Sequence, residues 1–312
     1  MLFKTIIKKR IKQVLRSLYP LINKRYFKAL VNKNREQLLK QNQWVESFPG
    51  QRVMVLAPHA DDEMIGCGGA ALKYIRAEKI LHIAYLTDSG KRGRVGEKES
   101  IPEIRRKEAL SVAQAMGLRE DRLHFLPGED GDLEHASIHG ALADLIREVK
   151  PDALFLPAPM DTHQDHVAAA MLLTETVAGK KDLRSLLAKT VVYLYDVQSP
   201  TTWFYANRTL GIETVIREKK KLLGLYRSQN NLMDFAAGMD EYYGYLFEKG
   251  PAEVYIETTF PEFIRVTEEN FPTFKEQSRH LRQHSNPITL IKSHESARRA
   301  KVPLRKYHGP FS

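Results

Sequence analysis

Short runs of apolar residues recur along this chain, separated by segments in which apolar residues fall at every third or fourth position. Runs that are too short for a helix and rich in aliphatic side chains are typical of buried strands. They occupy residues 52–57, 80–86, 122–126, 152–157, 190–195 and 254–258. The spaced segments predict helices packed on a sheet. They cover residues 70–75, 101–116, 135–149, 167–177 and 213–228.

The order of these elements predicts an α/β fold. Strands that alternate with helices form mainly parallel sheets covered by helices on both faces. At 312 residues, the chain is long enough for one such domain with extensions. We therefore expect a Rossmann-like three-layer domain over residues 45–272, a basic helical extension over 1–44 and a basic tail over 273–312.

The extension begins with an amphipathic, cationic segment. Between residues 2 and 18, apolar side chains such as Ile7 and Ile11 recur at helical spacing, with lysines and arginines between them. Such a helix, within the basic segment 1–40, can lie in the headgroup region of an anionic membrane with its apolar face inserted. The alternative is that the same face packs on the protein body or on a second subunit of a homo-oligomer.

The positive charge of the chain is concentrated at its two ends. The formal net charge is +10, residues 1–40 contain twelve Lys or Arg against one Glu, and residues 273–312 contain nine against two acids. Residues 41–272 therefore carry a net charge of −8. A nucleic-acid groove would place basic residues along the body of the domain, so we predict no nucleic-acid partner.

Cysteine content and hydropathy indicate the compartment. The one cysteine, Cys67, excludes an internal disulfide and suits a reducing environment. The sequence contains neither a run of roughly 20 apolar residues nor the apolar core of a secretory signal. We expect a cytoplasmic protein, peripheral on the inner face of the membrane where the amphipathic helix binds lipid.

Two clusters of charged and imidazole side chains follow predicted strands. The strand 52–57 ends at Pro58-His59-Ala60-Asp61-Asp62-Glu63, and the strand 152–157 is followed by Asp161-Thr162-His163-Gln164-Asp165-His166. Ligands of open parallel sheets bind outside the carboxyl ends of the strands. We therefore expect the two clusters to meet in one crevice.

These residue types are those of a catalytic metal site. Two imidazoles and one carboxylate, with an open position left for water, form a common zinc donor set. A second carboxylate nearby can take a proton from that water. The spacing alone leaves open whether Asp61 or Asp62 is the ligand. Asp165 lies beside His163 and His166 in sequence and could accept an imidazole N–H and orient the ring.

Each cluster also has a purely structural interpretation. The acids at 61–63 could be favoured by the dipole of a following helix, and Asp161 or Thr162 could be a helix N-cap. The presence of both clusters after strands in one chain favours a site. A dinucleotide fold is excluded, because Gly66-Cys67-Gly68-Gly69 lacks the required glycine spacing and follows carboxylates that would repel a pyrophosphate.

The motifs resemble those of the LmbE-like or PIG-L family of metal-dependent N-acetylglucosaminyl deacetylases. The resemblance rests on the cluster 58–63, the glycines that follow it and His163-Gln164-Asp165-His166. It extends over about residues 50–260. Segments at 105–108, 130–133 and 219–229 are similar to further recurring family segments.

This resemblance implies an activity and a role for each site residue. His59, Asp62 and His166 would bind Zn²⁺ or another divalent transition metal. Asp61 would be the general base. His163, in its protonated form, would stabilise the oxyanion, with Asp165 orienting it. Arg105 and Asp130 would contact the substrate, an N-acetylglucosamine-type sugar or a lipid- or polymer-linked glycoconjugate whose acetyl group is removed.

Two other classes of function fit the same residues. Two histidines and one aspartate also form the facial triad of mononuclear non-haem iron oxygenases. The basic ends could instead belong to a catalytically inactive, membrane-associated scaffold. The adjacent second aspartate favours hydrolysis.

Overall fold

The computed structural model describes residues 2–90, 100–199, 204–229 and 239–281, together with Glu295. Within the first helix it describes the side chains of Leu21, Ile22 and residues 24–41. Most of the predicted basic tail, residues 282–294 and 296–312, lies outside the described residues.

The described residues include eight strands and eight α-helices with both ends described, and residues 239–243 are helical as well. The strands are β1 Gln43–Val45, β2 Arg52–Ala57, β3 Ile80–Thr87, β4 Leu123–Gly128, β5 Ala153–Pro157, β6 Val191–Tyr195, β7 Arg208–Gly211 and β8 Ala252–Thr259. The helices are α1 Leu2–Gln41, α2 Asp62–Arg76, α3 Ile101–Ala115, α4 His139–Val149, α5 Gln164–Val177, α6 Lys181–Leu187, α7 Ile216–Leu223 and α8 Phe260–Ser278.

One sheet of order β1-β7-β8-β6-β5-β2-β3-β4 forms the middle layer. Its pairs are parallel except those of β8, which runs antiparallel to both β6 and β7. The prediction of a mainly parallel α/β sheet is confirmed. The short strands β1 and β7 were not predicted, because three or four residues carry too little hydrophobic pattern to be recognised.

The two faces of the sheet are covered by separate hydrophobic cores. Met54 and Leu56 of β2 pack in one core with α4, α5, α6 and α8. Val53 and Val55 pack in the other with α2, α3 and α7. Alternate side chains of a strand point to opposite faces, so this apolar strand is buried on both sides. The three-layer prediction is confirmed.

The second half of α1 packs on the domain. Phe27, Leu30, Val31 and Leu38 are buried in a third cluster. The ring of Phe27 stacks on that of Tyr242, with centroids 5.2 Å apart. Among the described helices, none is long and apolar enough to cross a membrane.

The glycine-rich run lies inside α2 rather than before it. We predicted a charged loop and then a helix, whereas α2 already begins at Asp62 and bends at Cys67, which has non-helical dihedral angles. A Cβ atom on Gly66 would lie 2.0 Å from a ring carbon of Tyr195. The glycines therefore let the helix approach the sheet closely, which brings the charged start of α2 onto the strand ends.

Candidate active site

The two charged clusters meet at the carboxyl ends of adjacent strands. β2 and β5 pair directly, from Val53 with Ala153 to Val55 with Phe155. The loops that follow them carry residues 59–63 and 161–166. The ring centroids of His59 and His166 lie 5.4 Å apart. The two loops therefore converge in the structure, as predicted.

Asp62 lies between the two imidazoles. Its Oδ2 is 3.2 Å from Nδ1 of His59 and 3.2 Å from Nε2 of His166. The backbone N–H of His59 also donates to this oxygen, at 2.8 Å. All three side chains are buried, so the two nitrogens and the oxygen face one another away from bulk water.

The separations of Asp62 from the two imidazoles suit a divalent metal ion, and one ring nitrogen of His163 also lies within 4.8 Å of those of His59 and His166. Tetrahedral coordination with bonds of about 2.0–2.2 Å places neighbouring donors roughly 3.3–3.6 Å apart, close to the 3.2 Å separations observed. Both ring nitrogens of His166 are buried without a hydrogen bond of acceptable geometry. A cation between the three donors would satisfy Nε2 of His166.

Carboxylates give the site a strongly negative potential. Burial by itself lowers the pKa of His59, but hydrogen bonds to Asp130, Asp165 and Asp62 raise it well above its ordinary value. Burial likewise lowers the pKa of His166, but the charges of Asp62 and a further aspartate outweigh this and raise it to about 9. Without a metal, the pocket takes up protons on both imidazoles. A pocket that holds positive charge in this way also attracts a cation.

The further aspartate is Asp161, which orients His166. Its Oδ1 lies 3.1 Å from Nδ1 of His166, on the side of the ring away from Asp62. Its Oδ2 accepts the backbone N–H groups of Gln198 and Ser199. Metal-bound histidines commonly direct their second nitrogen at a carboxylate. The sequence pattern predicts Asp161 only as a possible helix cap, so this role emerges only from the structure.

Asp61 lies beside the donor set in a strained backbone conformation. Its φ of 131° is in a region that residues with a Cβ rarely adopt. Burial raises the pKa of its carboxyl, the charge of Arg105 lowers it and Asp62 raises it, with a result of about 7. Nη1 of Arg105 lies 3.9 Å from Asp61 Oδ1 and donates to the carbonyl of Ala60. A carboxylate with such a pKa is matched to proton transfer near neutral pH.

Glu63 holds this strained turn from the other side. Its Oε2 accepts the backbone N–H of Asp61 at 3.1 Å, and the hydroxyl of Tyr226 donates to its Oε1. The hydroxyl of Tyr85 in turn lies 3.2 Å from that of Tyr226. The sequence pattern predicts no function for Glu63, because its contact with Tyr226 joins residues too distant in sequence for any local pattern to reveal.

His163 is the N-cap of α5. Its Nδ1 accepts the backbone N–H of Asp165 at 3.3 Å, so a proton on the neutral ring resides on Nε2. Burial, together with the positive charges of His166 and His59, lowers the pKa of His163 to about 4. The protonated form that we predicted is therefore not the one this environment favours. The neutral ring still offers one N–H donor.

Asp165 and Asp130 both contact His59. Nε2 of His59 lies 3.1 Å from an oxygen of each carboxylate. Asp165 also accepts the backbone N–H of Gly131, at 2.6 Å. We predicted that the carboxylate of Asp165 orients His163, whereas it orients His59 and the loop at 130–133. Asp130, predicted to bind substrate, lines the cavity beside His163.

Residues 54–177 match the family model described as PIG-L: GlcNAc-PI de-N-acetylase. The chain is 27% identical over 139 residues to the probable N-acetyl-alpha-D-glucosaminyl L-malate deacetylase 2 of Bacillus cereus. That alignment covers 41% of this chain and 61% of the relative. The chain thus spans about three fifths of the length of this curated relative.

Two solved structures share the fold. The N,N'-diacetylchitobiose deacetylase of Pyrococcus horikoshii superimposes with a TM-score of 0.58 at 20% identity, over 80% of this chain and 92% of that one. The 4-carboxy-2-hydroxymuconate hydratase GalB of Pseudomonas putida superimposes with a TM-score of 0.57 at 19% identity, over 68% and 96%.

Fold, motifs and family match agree on one class of protein. The chain is an α/β three-layer protein in which residues 54–177 match the PIG-L family model, and the resemblance found in its sequence motifs is confirmed. One of the two solved relatives is a hydratase, so the fold alone does not determine the reaction.

Proposed function

We propose that this protein is a zinc-dependent hydrolase that removes the acetyl group from an N-acetylated sugar. The observation that carries the proposal is the position of Asp62 Oδ2, 3.2 Å from an imidazole nitrogen of both His59 and His166, with Asp61 buried beside them. His59, Asp62 and His166 would hold the metal. When bound, zinc supplies a water of lowered pKa and polarises a carbonyl oxygen.

Asp61 is the general base of this mechanism. Its carboxylate takes the proton from the attacking water, which then adds to the acetyl carbon of the amide. Arg105 neutralises part of the charge on Asp61 and fixes the carbonyl of Ala60 by a 3.1 Å hydrogen bond. The base thus keeps one orientation throughout the reaction.

His163 acts on the oxygen of the acetamide. Its Nδ1 is occupied by the backbone N–H of Asp165, so Nε2–H is the donor that faces the substrate. A hydrogen bond from this group stabilises the negative charge that develops as water adds to the carbonyl. Collapse of the adduct releases acetate and a free amino sugar, as the nitrogen takes up the proton that Asp61 removed from the water.

The choice of an acetamido sugar rests on the relatives. The matching family model describes a de-N-acetylase of a GlcNAc-lipid. The Bacillus and Pyrococcus proteins are named for deacetylation of a glucosaminyl malate and of diacetylchitobiose. All of these names include an acetamido sugar. The group attached to that sugar differs from one name to the next. We propose N-acetylglucosamine as the reacting unit, within a larger glycoconjugate.

An iron oxygenase and an inactive scaffold are the alternatives. The same three donors could hold iron, but an oxygenase has no need of a second aspartate poised to take a proton. The scaffold hypothesis leaves the buried donor set without a purpose. Acetate release in the absence of oxygen separates hydrolysis from both alternatives.

We also propose that the protein acts at the cytoplasmic face of the membrane. The support is sequence-based: residues 2–18 are amphipathic and cationic, and the described part of α1 that packs on the domain is its second half. Deleting residues 1–40 would remove buried core residues such as Phe27. Charge reversal of Lys4, Lys8 and Lys12 is the cleaner test. It should abolish binding to anionic liposomes and leave hydrolysis of a soluble substrate unchanged, whereas undiminished binding would refute the proposal.

The deacetylase proposal is tested by measuring acetate release from free, nucleotide-linked, lipid-linked and polymeric N-acetylglucosamine. Apoprotein prepared by chelation should be inactive, and stoichiometric zinc should restore turnover under anaerobic conditions. No acetate from any of these substrates with the zinc-loaded protein would refute the proposal. A strict requirement for oxygen would favour the iron enzyme.

A further inference from the structure

The carboxyl end of β3 lies between two loops of the candidate active site. The sheet order places β3 between β2 and β4, so its end adjoins the loops that follow both of these strands. The pairing of β3 with β4 shifts register between Tyr85 and Thr87. Irregular pairing of this kind is frequent beside active sites, where it re-aims side chains. The residues that follow the shift, Thr87, Asp88 and Ser89, have no part in the mechanism above.

The hydroxyl groups of Thr87 and Ser89 hold the backbone on both sides of His59. Oγ1 of Thr87 donates to the carbonyl of Pro58 at 2.8 Å, and Oγ of Ser89 accepts the N–H of Ala60 at 3.0 Å. The same oxygen of Thr87 accepts the N–H of Ser89, at 3.2 Å, so the two side chains are connected. Both are buried. Because hydrogen bonds are stronger where water is excluded, these contacts fix the course of the chain on either side of His59.

Ser89 adopts a backbone conformation that residues with a Cβ rarely take. Its φ is 58°, in the left-handed region, which costs free energy for any residue except glycine. Such conformations persist only where the surrounding structure holds them, and they cluster at functional sites. A function for the hydroxyl, which meets the N–H of Ala60, accounts for this cost.

Ser89 also differs from the other side chains that hold this loop. The three N–H groups of residues 59–61 donate to side chains, those of Asp62, Ser89 and Glu63. Asp62 and Glu63 belong to the first turn of α2, which follows the loop directly. Of the three acceptors, Ser89 alone comes from another strand of the sheet. It therefore ties the position of the loop to that of β3.

Asp88 holds the loop that follows β4. Its Oδ1 accepts the backbone N–H of Asp130 at 3.1 Å and that of Gly90 at 3.0 Å. The backbone N–H of Asp88 donates to the carbonyl of Gly128, at 2.9 Å. The carboxylate of Asp130 in turn lies 3.1 Å from Nε2 of His59. The end of β3 thus acts on His59 in two ways, through the backbone beside it and through a carboxylate against its ring.

We propose that Thr87, Asp88 and Ser89 are positioning residues that hold His59 against Asp62 and so set the geometry of the candidate metal site. This inference rests on the proposed function, in which His59 and Asp62 hold the metal. None of the three residues needs to touch substrate or metal for this role.

The affinity of the full chain for zinc, measured by competition with a chromophoric chelator, tests the proposal. Ser89→Ala leaves a buried N–H without its acceptor and should lower the affinity about tenfold, at the lower end of the range for groups that orient a metal ligand. Thr87→Val should lower it less, because the carbonyl of Pro58 keeps the backbone N–H of Thr87, at 3.1 Å. Asp88→Ala should also lower it, whereas Asp88→Asn keeps an oxygen acceptor and should restore the affinity.

Thr190→Val is the matched control. Thr190 is buried, and its hydroxyl donates to the carbonyl of Pro151 at 2.7 Å, as that of Thr87 does to Pro58. It directly precedes β6, at the amino ends of the parallel strands and so at the opposite edge of the sheet from the site. Thr87→Val and Thr190→Val should therefore lower the midpoint of thermal unfolding by similar amounts. Only Thr87→Val should weaken zinc binding, whereas a purely structural role predicts equal affinities.

The outcomes separate this inference from the proposed function. Zinc binding does not require turnover, so the affinities test the inference even if no substrate releases acetate. Unchanged affinity in Ser89→Ala, or an equal loss in Thr190→Val, would overturn it while deacetylation stands.

If the wild-type chain binds no zinc, amide hydrogen exchange in the apoprotein decides the inference by the same comparison. The N–H of His59 donates to Asp62, and none of these substitutions removes that hydrogen bond. Its exchange therefore reports how firmly the loop is held. Ser89→Ala should accelerate this exchange and Thr190→Val should not. Equal rates in the two variants would overturn the inference.

Discussion

The hydroxyl of Tyr226 donates a hydrogen bond to the carboxylate of Glu63, and the other oxygen of that carboxylate accepts the backbone N–H of Asp61. Through Glu63, a residue near α7 thus stabilises the strained turn that carries the candidate base. Burial raises the pKa of Glu63 to about 8, although the hydrogen bond from Tyr226 lowers it.

We predict that Glu63→Gln and Tyr226→Phe reduce kcat without loss of metal. Weakening the contact of Glu63 with the backbone N–H of Asp61 lets the strained turn relax, and a misplacement of about 1 Å can cost on the order of 100-fold in rate. Tyr226→Phe should cost less, because the backbone contact of Glu63 persists. Metal content and acetate release of both variants check this. If a variant loses zinc in proportion to its loss of activity, Glu63 holds the metal donors in place and does not act through Asp61.

Asp161 should determine the affinity for metal. Asp161→Asn weakens the orientation of His166, and loss of such a carboxylate typically lowers metal affinity by about 10–100-fold. Competition with a chromophoric chelator measures this. Asp132→Asn, an exposed aspartate paired with His135, is the control and should bind zinc as the wild type does. Unchanged affinity in Asp161→Asn would exclude the assigned role.

Lys219 should be essential to stability although it is remote from the chemistry. Its buried Nζ lies 2.7 Å from both Asp240 Oδ2 and Glu253 Oε1, and Glu253 in turn accepts the N–H groups of Gly69 and Ala70 in α2. Lys219→Met leaves two buried carboxylates without their cation and should cost about 3–5 kcal/mol of unfolding free energy.

The neighbouring Lys220 is the matched control. It pairs with Glu241 on the surface, where exposed ion pairs contribute roughly 0–1 kcal/mol. Urea unfolding of Lys219→Met and Lys220→Met, followed by circular dichroism, should therefore give losses that differ several-fold. Equal losses would contradict the structural role of the buried network.

A pair of histidines on β3 and β4 predicts a pH dependence of stability. Nδ1 of His82 lies 2.9 Å from Nε2 of His124. Partial burial, and then the charge of His124, lowers the pKa of His82 to about 4. Between this value and about 6.5 the unfolded chain binds more protons than the folded chain. The pair's contribution to stability is thus complete above pH 6.5 and is lost as the pH falls towards 4.

Comparison with a double variant isolates this contribution. In the double variant His82→Gln/His124→Gln this contribution is absent at every pH. Its unfolding free energy should therefore approach that of the wild type as the pH falls from 6.5 to 4. In His135→Gln the difference should change little over this window, because the hydrogen bond with Asp132 raises the pKa of His135, whose contribution to stability is already largely present below pH 6.5. Thermal unfolding across this pH window measures both. A difference that stays constant for the double variant would refute the assignment.

Much of the fold could be predicted because its central strands are buried on both faces. The runs at 52–57 and 152–157 are apolar throughout, and the polar clusters that follow them mark the strand ends. The meeting of the two clusters could therefore be predicted, because adjacent parallel strands bring their carboxyl ends together. The choice of metal donors rests on the family resemblance and stays a prediction. Short strands such as β1 and β7 lack that pattern and depend on their neighbours for stability.

Contacts that depend on tertiary structure could not be predicted. The partner of Asp165 depends on where the loop at 130–133 lies, and the role of Asp161 depends on the side of His166 that faces it. α8 was not predicted as an element. Consequently, the wall that α8 contributes to the cavity beside His163 could not be predicted from the sequence.

The most direct test of the account compares metal content with turnover in two single variants. His59→Ala removes a donor and should lose both bound zinc and activity. Asp61→Asn should retain stoichiometric zinc while kcat for acetate release falls by about 10²–10⁴-fold, as expected for loss of a general base. Elemental analysis and acetate release on the same preparations decide the matter. Normal turnover in Asp61→Asn, or full zinc occupancy in His59→Ala, would contradict the account.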